Sequence, residues 1–127
     1  MEYQDQLRIG LSDLRKHLER CWRQWRGERG MSSIGIKPSH NMCRMSAPAV
    51  LEWLNDNDTE KREWYIACGT ETGKNNGAGG MFNTSGELMP HVWLSDGKLI
   101  IDITADQFGY PEKVLICDAM DPRYVES

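Results

Sequence analysis

His91-Val92-Trp93-Leu94-Ser95-Asp96-Gly97-Lys98-Leu99-Ile100-Ile101-Asp102-Ile103-Thr104 is the stretch on which the reading of this chain turns. Two runs rich in β-branched and aromatic residues flank Asp96-Gly97, a pairing that marks a tight hairpin turn. A two-residue turn at Asp96-Gly97 fixes the register. Ser95 then faces Lys98, Trp93 faces Ile100 and His91 faces Asp102. Directly opposed residues share a face, with Cβ atoms about 4.5–5.5 Å apart. An imidazole and a carboxylate so placed can share a hydrogen bond. The carboxylate holds the ring in one tautomer and stabilises its cation, leaving the second ring nitrogen to take a proton. Pro90 suits the first residue of a strand and puts the pair near the sheet rim, within reach of a substrate. The same pair could equally brace a sheet edge.

Outward from the hairpin, the pattern upstream is helical. Leu7, Leu11, Leu14, Leu18, Trp22 and Trp25 recur at three- and four-residue steps, which predicts a helix over 5–26, with Cys21 continuing the apolar stripe. Arg15, Lys16, Glu19 and Arg23 fall on its other side. Gly27 and Gly30 end it, and 31–40 reads as a loop. A second helix falls within 42–55, with Met42, Met45, Ala49, Val50, Trp53 and Leu54 on its apolar face. Pro48 kinks this helix if it begins near Asn41 and is tolerated if Ser46 caps it. Asn55 to Asp58 reads as a turn. Strands are predicted at 64–68, 91–95, 98–104 and 113–117, and the glycine-rich 69–80 segment as a loop or lid. Helices first and strands after predict an α+β fold, with N-terminal helices packed on a small antiparallel sheet. The 127 residues fit one domain, 1–127.

Composition narrows the function classes. A net charge of −4 weighs against nucleic acid and anionic membranes, which call for a basic face. No apolar run approaches the roughly 20 residues of a membrane span. The polar N-terminus lacks the order of a secretion signal, so a cytoplasmic protein is expected, or one exported by another route. Gly69, Gly73 and Lys74 miss the spacing of a phosphate-binding loop. The four cysteines, Cys21, Cys43, Cys68 and Cys117, form no C-x-x-C pair, so no metal or other cofactor is expected. His17 with Cys21, four apart on a helix, is the main alternative, and Cys68 with Cys117 another.

Cys43 stands out among the thiols because it falls near the start of a helix. That position lowers a thiol's pKa and offers backbone N–H groups to a developing oxyanion. Asn41 reads as a helix cap or an oxyanion donor. Gln107, in Thr104-Ala105-Asp106-Gln107-Phe108, reads as a turn residue or as an oxyanion or substrate contact. Trp93, on the His91 face, flanks the site or packs the sheet. His40, beside Cys43 in sequence, is the rival base and otherwise loop surface.

Asn41-Met42-Cys43-Arg44-Met45-Ser46, His91-Val92-Trp93-Leu94 and Ile100-Ile101-Asp102-Ile103-Thr104 together resemble the papain-like superfamily in its small, transglutaminase-like forms. Those domains carry Cys at a helix start, then a His-x-Trp strand, then an Asp-x-Thr strand. The resemblance covers 41–108 and implies a papain-like core with Cys43 as nucleophile, His91 as general base and Asp102 as the orienting acid. It also implies attack on an amide of a protein or peptide through a thioester, as in peptidases, amidases, protein-glutamine deamidases and transglutaminases. The chain's size resembles bacterial or phage stand-alone enzymes and effectors. A catalytically inactive binding or inhibitory module of the same fold is the alternative.

Overall fold

The computed structural model describes residues 2–32, 34–69 and 79–127. Nearly all of the glycine-rich segment predicted as a lid thus lies outside the described residues. The order of elements is α1 (Tyr3–Glu28), α2 (Cys43–Asn57), β1 (Tyr65–Gly69), β2 (Gly80–Phe82), β3 (Leu88–Met89), β4 (His91–Ser95), β5 (Leu99–Asp102), a 3-10 turn (Ala105–Phe108), β6 (Leu115–Asp118) and β7 (Tyr124–Val125). The architecture is α+β. One sheet has the order β1-β4-β5-β6 and a second β3-β2-β7, and every pairing is antiparallel. The short strands β2, β3 and β7 carry too little alternation to stand out from sequence. Residues 103 and 104, expected in a strand, lie beyond β5.

The helices cover one face of the larger sheet. Leu7, Leu11 and Trp22 of α1 and Val50 and Leu54 of α2 pack with Val92, Leu94, Ile101, Ile103 and Ile116. Leu11, Leu54 and Ile101 are wholly buried, and each such side chain contributes about 1.5–3 kcal/mol. The helices approach closely at Gly10, where a Cβ would collide with the Trp53 ring. The opposite face of the sheet holds a second cluster, built from Ala67, Met81, Trp93, Ile100, Leu115 and Tyr124.

Arg15 and Arg26 of α1 are each only 2% exposed. Their heads cross apolar surroundings to reach carbonyls and a carboxylate in the connections, which repays the cost of burial. Cys21 is exposed rather than part of the stripe. Gly27 lies inside α1, whose C-cap is Arg29, and Gly30 follows with φ 66°. Residues 55–57, expected as a turn, are instead the last turn of α2, which ends at its C-cap Asp58, and the turn falls at 59–60. Asp58 is buried, accepting hydrogen bonds from the Tyr3 hydroxyl at 2.6 Å and Trp64 Nε1 at 2.9 Å. Pro48 lies in the second turn of α2, which starts at Cys43 without Ser46 as its cap.

The hairpin register also differs from expectation. Ser95 pairs with Ile100 and Leu94 with Ile101, a slip of two residues. The Asp96 carboxylate makes the turn longer by accepting the N–H groups of Lys98 at 2.8 Å and Leu99 at 2.7 Å. Gly97 sits there at φ 88°. An Asp side chain that caps its own turn in this way competes with the tight two-residue form.

Candidate active site

Cys43 is the first residue of α2, and the preceding loop is pinned from both sides. Arg26 Nη2 donates to the carbonyls of Pro38 at 2.9 Å and His40 at 2.7 Å. Lys37 Nζ donates to the Asp106 carbonyl at 2.6 Å. The Asn41 N–H donates to Gln107 Oε1 at 3.0 Å. The loop before the thiol is therefore docked on the 3-10 turn that follows Asp102. That turn is itself held by Arg15, whose guanidinium binds both Asp106 oxygens at 2.9 Å and the Ile103 carbonyl at 2.7 Å. Asn41 is strained, with φ 60°. It does not cap α2: the N-cap is Met42, and the Asn41 amide lies 3.3 Å from His40 Nε2. His40 is exposed, as a loop-surface residue would be.

His91 is 2% exposed, not open at the rim as the strand position had implied. Its ring packs edge-on against Phe108 at 4.8 Å and stacks with Trp93 at 5.8 Å. Nε2 lies 2.6 Å from Asp102 Oδ2. Asp102 is also buried and accepts three further hydrogen bonds. The Tyr124 hydroxyl donates to Oδ2 at 2.7 Å, while the Thr104 N–H at 2.9 Å and hydroxyl at 3.3 Å donate to Oδ1.

The His91–Asp102 pairing survives the register slip for a geometric reason. A shift of two residues keeps every side chain on its own face, whereas a shift of one would reverse them. In the observed register Asp102 lies level with Trp93, one diagonal step from His91. Long side chains still meet across such a diagonal.

Electrostatics then couples Cys43 to the pair. Burial alone would raise the Asp102 pKa, but the His91 charge, its hydrogen bond and those from Thr104 and Tyr124 hold it below the usual carboxylate range. With Asp102 ionised, the Nε2 proton of His91 is the one it accepts, and Nδ1 is left for the thiol. Burial would lower the His91 pKa. The Asp102 charge and hydrogen bond, with the nearby Cys43 sulfur, outweigh it and raise the pKa to about 9. Burial would likewise raise the Cys43 pKa, yet His91 and the Val92 N–H bring it below the ordinary thiol value. The thiol–imidazole contact is looser than a fully formed hydrogen bond, since Nδ1 is buried with no such partner. Catalytic hydrogen bonds often tighten only when substrate binds.

Beside this cluster lies a cavity of about 200 Å³ lined by His40, Asn41, Asn83, Thr84, Met89, Gln107 and Phe108, among others. Three of these residues connect it to the Cys43–His91–Asp102 cluster: Asn41 is two positions before Cys43, Met89 two before His91, and Phe108 touches the His91 ring. Gln107 Nε2 is buried there without a hydrogen-bond partner. A second void, behind Cys43 and Asp102, measures only about 10 Å³ and admits no more than one water.

The structure thus brings Cys43, His91 and Asp102 together, with Trp93 against the histidine and Asn41 and Gln107 on the adjoining cavity. Thr104 belongs to the site through the Asp-x-Thr spacing, because its N–H and hydroxyl both reach back two residues. Tyr124 was not foreseeable, since it arrives from the second sheet with no local pattern to mark it. Among the described residues, no three His, Cys, Asp or Glu side chains converge as a metal site. His17 and Cys21 do meet, Nε2 to Sγ 3.7 Å, on an exposed helix face. No helix among the described residues is long and apolar enough to cross a membrane. No protein-family model, curated protein or solved structure matches this chain.

Proposed function

We propose that this protein is a cysteine-nucleophile hydrolase or acyltransferase with a papain-like core. Its substrate on this reading is an amide bond of a protein or peptide, in the backbone or a glutamine side chain. The observation that carries the reading is geometric: Cys43 at the start of α2 stands beside His91, whose Nε2 lies 2.6 Å from the buried Asp102 carboxylate. These surroundings make the thiol more acidic and the imidazole more basic, which favours a thiolate–imidazolium pair.

In this mechanism the Cys43 thiolate attacks the carbonyl carbon, and the C=O electron pair moves to oxygen. The N–H groups at the start of α2 are the donors to that oxyanion on this reading, and the unpartnered Nε2 of Gln107, on the adjoining cavity, is a second candidate that a small side-chain rotation would have to bring into reach. The imidazolium of His91 passes its proton to the departing nitrogen, the C–N bond breaks, and a thioester remains on Cys43. Water or an acceptor amine then gives a proton to His91 as it attacks. Collapse of the second oxyanion releases the product and restores the thiolate. Asp102 keeps its negative charge throughout and orients the ring. The cavity beside the cluster, lined among the described residues by uncharged amide and hydroxyl side chains together with His40, Met89 and Phe108 and by no carboxylate, is a fitting seat for an uncharged segment of substrate.

The test is the rate of Cys43 alkylation by iodoacetamide against pH, in the parent protein and His91→Ala. It is followed by mass spectrometry of glutamine-containing peptides incubated with the protein. Enhanced reactivity that depends on His91, with deamidated, cleaved or cross-linked peptide, supports the reading. An inert Cys43 sinks it and leaves the non-catalytic binding or inhibitory module.

A further inference from the structure

We propose that Tyr124 is a positioning residue of this site: its hydroxyl, bound to the same Asp102 oxygen as His91, sets how firmly Asp102 holds the proton on His91. The inference rests on the reading of His91 as the site's acid–base group. Tyr124 comes from β7, in the smaller sheet, and is 8% exposed. Buried tyrosines need a hydrogen-bond partner, and this one spends its hydroxyl on a carboxylate that already has three other donors. Its ring lies 5.0 Å from Trp93 and 6.4 Å from His91, nearly parallel to the latter. The hydroxyl is thereby aimed at Oδ2 by the same aromatic packing that holds the imidazole.

The two donors to Oδ2 stand at nearly equal distance, 2.6 Å from Nε2 and 2.7 Å from the phenol oxygen. They draw on the same oxygen's electron density. Asp102 is ionised whether or not His91 carries its second proton, so the phenol bond exists in both states. It competes most with the imidazolium, which needs the carboxylate charge more than neutral imidazole does. Tyr124 therefore moderates the basicity that Asp102 confers, and a weaker donor at this position lets it rise.

Other titratable groups act on the cluster without replacing this contact. Cys43 faces His91 from α2. Cys117 of β6 acts on both Asp102 and Tyr124, and Arg123, just before β7, acts on Tyr124. Thr104 occupies the other carboxylate oxygen. None of Cys43, Cys117, Arg123 or Thr104 donates to Oδ2 among the described hydrogen bonds.

The experiment is an NMR titration of the His91 ring nitrogens in the full chain, which requires no substrate. Two changes at position 124 push in opposite directions. Tyr124→Phe removes the donor, and the His91 titration should move up by about half a pH unit or more. Ring-fluorinated tyrosine at 124 is a more acidic, stronger donor and should move it down. Should the Phe variant fail to fold, the fluorinated protein keeps its shape and decides alone. A titration unmoved by fluorination overturns the proposal and leaves Tyr124 as packing. Shifts of the expected signs in a protein whose Cys43 is inert uphold the positioning role and sink the thiol-enzyme reading. An active Cys43 with an unmoved titration does the reverse.

Discussion

His91 and Asp102 meet on a diagonal across the β4–β5 hairpin, Nε2 to Oδ2 2.6 Å, with both side chains essentially removed from solvent. A buried carboxylate with four hydrogen bonds is a structural commitment as well as a chemical one. Asp102→Ala leaves the His91 ring, the Tyr124 hydroxyl and the Thr104 N–H without their acceptor. Breaking a buried pair from one side costs about 3–5 kcal/mol, and urea unfolding of the variant should show a loss of that size. An Asp102→Ala protein as stable as the parent would place the carboxylate in water, contrary to its burial.

The pH dependence follows from the two shifted groups. Cys43 is held below the ordinary thiol pKa, so acidification protonates the nucleophile only below that lowered value. His91 is raised to about 9, so it carries its proton at neutral pH and loses it as pH climbs through about 9. Turnover should fall on that alkaline limb, because the departing nitrogen then lacks a proton donor. Alkylation should rank the cysteines accordingly. Cys43 reacts first, ahead of the exposed Cys21 and Cys68, because His91 favours its thiolate. Cys117 reacts last, since burial and nearby Asp121 push it up to about 12. Mass spectrometry of partially labelled protein gives the order, and labelling of Cys21 or Cys68 before Cys43 contradicts the ion pair.

What could be read from the sequence was what repeats locally. The α1 stripe, the hairpin and its shared His91–Asp102 face all follow from period, and an even slip left that face intact. The register itself was lost because Asp96 spends its carboxylate on the turn, a side-chain choice that dipeptide statistics do not carry. Arg15 and Arg26 look like solvated helix residues until the loops they hold are known. Their partners lie 88–98 and 11–14 positions away. Tyr124 was hidden for the same reason, being 22 residues from Asp102 and in another sheet.

Arg15 joins α1 to the segment that follows Asp102, and its side chain is 2% exposed against 11% for Asp106. Arg15→Ala strands a largely buried carboxylate and frees the Ile103 and Lys113 carbonyls. A loss of about 3–5 kcal/mol is expected in thermal or urea unfolding. Replacing both ends, as Arg15→Met with Asp106→Leu, should recover part of it, because the Asp106 charge is no longer stranded, while Glu19, which accepts from Arg15 Nε at 2.9 Å, still loses its partner. A double variant no more stable than Arg15→Ala would locate the loss in Glu19 and the two carbonyls instead.

Gln107 separates loop-holding from catalysis, because its two amide atoms have different tasks. Oε1 accepts the Asn41 N–H at 3.0 Å, and Nε2 is buried with no partner. Gln107→Glu keeps an acceptor for Asn41 and removes the donor. Gln107→Leu removes both. If Nε2 stabilises the oxyanion, both variants should lose about 10²–10³-fold in kcat, the usual effect of deleting one such donor. Alkylation of Cys43 by iodoacetamide forms no oxyanion, so its rate in Gln107→Leu should stay within a few-fold of the parent, provided the loop before Cys43 keeps its place. Stability should distinguish the pair the other way, with Gln107→Glu melting closer to the parent than Gln107→Leu. A Gln107→Leu protein with full turnover would remove Nε2 from the mechanism and leave the α2 N–H groups as the oxyanion's donors.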